Sequence, residues 1–282
     1  EGDFSSSSNA TKLEFMTGSS EAATTQMTIS SGGIVGIGAG VPGDLGVGLH
    51  IKSADSGFAA HTSADELVLE NNGHCGISIL SADDATGNIY FSDASSGTGR
   101  YQGFVEYNHN SNQLALGSAN DYWLKIDSSG AVTKPLQPAV LAYSSSAQND
   151  IATGVVTISL DAEVYDINAD FNTGTYTFTA PVTGKYMCTG QIVMTDVDTA
   201  YQWIYGRFNT SNRIYYMNLI DPRIEISADG GHTWTFSALV DMDASDTLVL
   251  DTRSSAHGAA QNNITSGTAT ALETFMTVYL AC

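Results

Sequence analysis

Basic residues are scarce: ten Lys and Arg stand against thirty Asp and Glu in 282 residues, for a formal charge of −20. No two of the ten are adjacent, and neutralising a phosphate backbone needs them clustered, so nucleic acid is excluded as a partner class. Each half of the chain carries −10, so the acidity is global. Such a field keeps a protein soluble and repels anionic lipids and polysaccharides unless salt or divalent cations screen it.

Cysteine is also rare. Cys75, Cys188 and Cys282 are far apart, odd in number and without CxxC spacing, which reads as free thiols, with Cys188 inside a strand. No apolar run approaches 18 residues, so no helical membrane insertion is expected. An initiating Met and a signal-peptide pattern are both lacking, which reads as a piece of a longer protein. Charged residues are only 14% of the chain, and no stretch keeps the Glu, Lys and Leu spacing of a long helix, so almost no α-helix is expected.

Catalytic signatures are lacking too. No Ser lies in a GxSxG elbow, and the six histidines are singletons without HxH or HExxH spacing. His50 reads as packing along an assembly axis. Gly38 to Gly43 has the spacing of a dinucleotide loop, but Pro42 interrupts it and Gly46 and Gly48 stand where a helix would open. No enzyme activity and no obligatory cofactor are expected.

What the chain does have is Ser, Thr, Asn, 28 Gly and 42% hydrophobic residues, the palette of strands and tight turns. Residues 1–26 read as an extended lead-in. From 27 to 133 come short candidate strands at 46–53, 66–71, 76–82, 87–93, 101–108 and 112–118, separated at hairpin spacing by turns such as Asn71-Asn72-Gly73 and Thr86-Gly87-Asn88. MTISSGGIV at 27–35 recurs as LKIDSSGAV at 124–132, aligning Ile29 with Ile126, Gly33 with Gly130 and Val35 with Val132. The large side chains are few, so one copy has a thin core, and pooling apolar edges among identical chains would stabilise it.

Two resemblances sharpen this. Ile34-Val35-Gly36-Ile37-Gly38, then Pro42, then Leu49-His50-Ile51, with NGHCGISIL, NIYFSD and FVEYNHNSNQL downstream, resembles bacteriophage tail-fibre shafts. That resemblance implies an intertwined homotrimeric β shaft. The stretch EVYDINADFNTGTYTFTAPVTGKY, with Phe171, Gly174, Tyr176, Phe178, Ala180, Pro181, Gly184 and Tyr186, resembles the heads of the complement C1q and tumour-necrosis-factor class. Read mechanically, Asn172-Thr173-Gly174 and Pro181 to Gly184 turn the chain into two adjacent hairpins, with Tyr176 and Phe178 on one face. Residues 239–250, with Ser245-Asp246 in place of the usual Gly-Asp, and 275–280 look like later strands of the same head.

The expected fold class is therefore all-β: an intertwined trimeric shaft followed by a jelly-roll β-sandwich at 134–282. The resemblances imply a virion tail fibre, assembled in a bacterial cytoplasm, joined to other virion proteins on its N-terminal side and attaching to a bacterial surface glycan or protein receptor. A tailspike-type glycan depolymerase and a purely structural virion fibre are the alternatives. Loops on a rigid scaffold are the candidates for receptor contact: Asn209, Asn212 and Arg213 in one turn, and Arg253, His257, Gln261, Asn262 and Asn263 in another segment. Asp196, Asp198, Asp241 and Asp243 alternate in a way that suits either a calcium site or solvated loop acids. Tyr201, Trp203 and Tyr205 share a strand-face spacing, as do Trp234, Phe236 and Ala238, and both sets read as packing.

Overall fold

A computed structural model describes residues 12–18, 23–38, 48–226, 230–255 and 262–282. Most of the lead-in, Pro42 with its neighbours, His257 and Gln261 lie outside the described residues. The described residues are almost all β, with α-helix among them limited to one turn, α1 (Pro222–Glu225), where the Asp221 side chain accepts from the Arg223 N–H. Two compact units are present, 1–80 and 81–282.

The first unit is a sheet in the order β1 (Leu13–Thr17), β2 (Thr24–Ile29), β3 (Val35–Gly38), β4 (Leu49–Lys52) and β5 (Leu67–Glu70). The first three strands are antiparallel, but β3, β4 and β5 run parallel and in register. Hairpin spacing was the sequence expectation here; the 14- and 18-residue steps from Val35 to Leu49 to Leu67 instead bring the chain back to start each strand on the same side. The expected strand at 76–82 does not form. Its Ile77, Ile79 and Leu80 lie outside any strand and are exposed.

In the second unit, β6 (Thr86–Phe91), β7 (Gly103–Asn108), β8 (Gln113–Ser118), β9 (Asp121–Ile126) and β10 (Val132–Thr133) form an antiparallel meander. Thr86-Gly87-Asn88 lies inside β6 and is no turn. The weak internal repeat is real in three dimensions. Ile29 pairs with Val35 and Ile126 with Val132, and the tight turns between them hold Gly33 at φ 83° and Gly130 at φ 85°. That left-handed conformation is one a side chain resists, which is why glycine recurs at both places.

The remaining strands make two facing sheets. One has the order β13 (Ala162–Ile167), β11 (Ala139–Tyr143), β22 (Phe275–Leu280), β16 (Gly184–Val197), β19 (Gly230–Met242), with β21 (Asn263–Ile264) beside β16. The other has the order β14 (Phe171–Asn172), β15 (Thr177–Thr179), β20 (Thr247–Ser254), β17 (Ile204–Thr210), β18 (Ile214–Ile220), with β12 (Val155–Thr157) beside β20. From β15 to β20 the chain changes sheet between β15 and β16, β16 and β17, β18 and β19, and β19 and β20. That alternation is a jelly roll.

Strand alternation fills the core. Tyr186, Cys188, Ile192 and Met194 of β16 and Trp234, Phe236 and Val240 of β19 point inward and are closed from solvent. Cys188 is a free thiol, and burial pushes it up to about 12. Gly190 and Gly206 leave room for the Phe236 ring, which a β-carbon on Gly206 would meet at 2.7 Å. The signature residues Phe171, Phe178, Ala180 and Tyr186 all lie in this core, and Phe178 packs edge-on against Tyr186 at 5.5 Å.

Two details differ from the sequence reading. Tyr176 has φ 58° and closes the β14–β15 turn, so it does not alternate with Phe178 along a strand. Pro181 to Gly184 carries the chain from one sheet to the other, because β15 pairs with β20 whereas β16 pairs with β19 and β22. There is one hairpin, then a crossover.

Candidate functional site

Three surfaces carry chemistry. The first is the uncovered side of the N-terminal sheet. Pairing aligns Leu13, Ile29, Val35, Leu49 and Leu67 in one row and Phe15, Met27, Ile37, Ile51 and Leu69 in the next, on one face. None of these ten side chains is buried in the chain itself. The same pattern occurs in the meander, where Ile89, Val105, Leu116 and Leu124 lie beside Tyr107, Leu114, Ile126 and Val132. The opposite face of the first sheet carries Thr28, His50, Lys52 and Glu70. His50 Nε2 is 2.9 Å from Glu70 Oε2, Lys52 Nζ is 3.3 Å from the same oxygen, and the Ser56 N–H and hydroxyl hold the Glu70 carboxyl at about 2. His50 thus faces away from the apolar rows.

The second surface is the pair of sandwich ends, and it divides the candidate residues. At one end Asp246 accepts from Ser211 Oγ at 2.6 Å, Asn212 Nδ2 at 2.7 Å and the Asp243 N–H at 2.8 Å. Those contacts hold its carboxyl below the usual range, the Ser211 hydroxyl first. Asp241 pairs with Lys185 and, at 3.2 Å, with Arg213, and Lys185 is the chief cause of its lowered carboxyl. Asn212, Arg213, Asp241 and Asp243 therefore belong to one interlocked cluster of turns. At the other end Asn262 is buried and accepts from the Asp198 N–H, and Asn263 donates to Asp196 Oδ2 at 2.7 Å.

Asp196 lies near one end of β16, whereas Asp241 pairs with Lys185 near the other. Eleven residues of strand separate Lys185 from Asp196, roughly 36 Å at about 3.3 Å per residue. The four aspartates do not share one rim. Among the described residues no group of three or more His, Cys, Asp or Glu side chains converges for a metal.

The third surface is the outer face of the β20–β17–β18 sheet, which sequence reasoning touched through Asn209 and Arg253 as contact candidates and through Trp203 and Tyr205 as packing residues. Asn209 donates to Asp251 Oδ2 at 3.1 Å, and Asp251 takes the Arg207 fork at 2.6 and 2.7 Å. Burial raises the Asp251 carboxyl in spite of that fork. Arg253 is exposed, with its guanidinium 5.6 Å from the Trp203 ring. Of the three aromatics grouped by spacing, Tyr201 packs in the core while Trp203 and Tyr205 stand outside. The available signal was the cross-strand pairing of Tyr205 with Arg253, which spacing along one strand does not reveal.

Comparison with known proteins gives structural likenesses only. No family model matches the chain, and no curated protein matches it. Among solved structures it is similar to the globular domain of zebrafish complement 1qA, at 14% identity and TM-score 0.37, covering 52% of this chain and 98% of that one. Murine APRIL at pH 8.5 aligns at 9% identity and TM-score 0.36, covering 51% and 98%. An Eiger TNF from S. frugiperda aligns at 15% identity and TM-score 0.35, covering 52% and 94%. The jelly roll described above stands on its own strand order.

Proposed function

We propose that this chain is the subunit of a homotrimeric adhesive fibre of a bacteriophage, with a β shaft formed between chains and a jelly-roll head that attaches to a bacterial surface. The observation that carries this reading is the apolar face shared by all five strands of the N-terminal sheet. Exposed apolar areas beyond a few hundred Å² on a soluble protein call for a partner. Covering half the area of ten such side chains is worth on the order of 10 kcal/mol per chain. Identical chains supply that cover by symmetry, three sheets facing a common axis.

The head contributes binding without chemical turnover, and three copies on one shaft multiply weak contacts into useful avidity. The test combines sedimentation with binding of the fluorescently labelled protein to a panel of bacterial strains. A trimer that coats particular strains is expected. A stable monomer, or a trimer that coats none of them, overturns the proposal.

A further inference from the structure

We propose that the outer face of the β20–β17–β18 sheet binds an anionic saccharide through Trp203, Tyr205, Tyr216 and Arg253. This rests on the adhesive reading above and names the chemistry of its ligand. Register sets the layout: Arg253 lies opposite Tyr205, which lies opposite Leu219, and in the next row Asp251 lies opposite Arg207, which lies opposite Tyr216.

Three aromatic rings adjoin on this face. Trp203 and Tyr205 are 5.4 Å apart between centroids, and Tyr205 and Tyr216 are 5.3 Å apart. Tyr216 is 48% exposed. Arg253 joins them by donating to the Tyr216 hydroxyl at 2.9 Å while its guanidinium lies against Trp203. One of its five donors is used there, and among the described residues no carboxylate pairs with it. The remaining edge of the fork has the geometry that takes a carboxylate in two parallel hydrogen bonds.

Charge selects the ligand. Strands β12, β14, β15, β17, β18 and β20 carry only Arg207, Asp251 and Arg253 as charged residues, so this sheet is net positive in a chain of −20. At physiological salt the Debye length is about 8 Å, so a ligand docked here responds to this sheet more than to distant acids. Aromatic rings present flat apolar surface to the C–H faces of a pyranose, and a neighbouring fork reads its carboxylate. The buried Arg207–Asp251 pair beneath keeps the platform rigid. A lone accessible guanidinium is too little for nucleic acid.

The test titrates the full chain in 0.15 M salt with tetragalacturonate, its neutral methyl ester and hexaglutamate, followed by calorimetry. Tetragalacturonate is expected to bind at least tenfold more tightly than either competitor, and Arg253→Gln or Tyr216→Phe to weaken it at least tenfold with an unchanged near-ultraviolet circular dichroism spectrum. Equal binding of the ester, tighter binding of hexaglutamate, no binding at millimolar concentration, or full binding by Arg253→Gln overturns the assignment. The adhesive reading is separated by whole-cell binding. Wild type and Arg253→Gln coating cells equally sinks this site alone, whereas no coating by wild type sinks the adhesive reading.

Discussion

Arg207 and Asp251 form a two-pronged ion pair, 2.6 and 2.7 Å long, that is 2% and 0% exposed although both residues stand on the outer side of their sheet. Removing one partner strands the other charge, so Asp251→Ala or Arg207→Ala is expected to cost about 3–5 kcal/mol, whereas replacing both with apolar residues of similar volume costs far less. Chemical denaturation of the two single variants and the double variant measures it. Equal losses in all three would contradict it.

Assembly is tested by placing a charge on the exposed rows. Ile51→Glu or Leu67→Glu is expected to turn the proposed trimer into monomers in sedimentation velocity while leaving the head's near-ultraviolet signal unchanged. A persistent trimer would show that the apolar face is not the contact.

Asp170 gives a pH signature. Burial, helped by the neighbouring Asp166, lifts its carboxyl to about 6. The folded state therefore holds this proton more tightly than the unfolded one, and the group's stabilising contribution is lost as pH rises from about 4 through 6. Asp170→Asn is expected to gain about 1–2 kcal/mol at pH 7.5, after allowance for partial exposure. The gain should vanish near pH 4, and melting curves across that range decide it.

Ser245 occupies a left-handed turn position at φ 75°. Glycine adopts that conformation freely, so Ser245→Gly is expected to stabilise the head by about 0.5–1 kcal/mol, read as a raised melting temperature. A fall would mean the hydroxyl supports the turn in some other way.

Thiol chemistry separates core from surface. Cys75 and Cys282 are exposed and Cys188 is buried, so a thiol reagent should label the first two in the native protein and Cys188 only on unfolding. Mass spectrometry of labelled peptides reads the outcome directly.

Much of this was legible in the chain. Phe171, Phe178, Ala180 and Tyr186 carried the resemblance to C1q-type heads and lie in the core, and Gly33 and Gly130 marked matching turns because glycine adopts their φ without strain. Strand direction was not legible. The alternation in Leu49–Lys52 is the same whether its neighbour runs parallel or antiparallel, so the stack of β3, β4 and β5 was hidden. The crossover at Pro181 was hidden for a similar reason, since a turn signal does not say which sheet receives the next strand. The binding candidates were chosen as loop residues, yet Asn212, Asn262 and Asn263 spend their side chains tying turns together. Arg253 was among those candidates, but its neighbours Tyr205 and Tyr216, brought beside it from other strands, were not legible.

The sandwich closes its core within one chain, whereas the N-terminal sheet leaves its apolar rows open, and this sets an order of events during synthesis. Closing the head is a first-order process, indifferent to how many copies are present. Covering the open rows with further copies, as proposed, would depend steeply on subunit concentration. Finished heads that accumulate first would hold their attached strands in wait, so dilution should delay the proposed assembly without delaying the head.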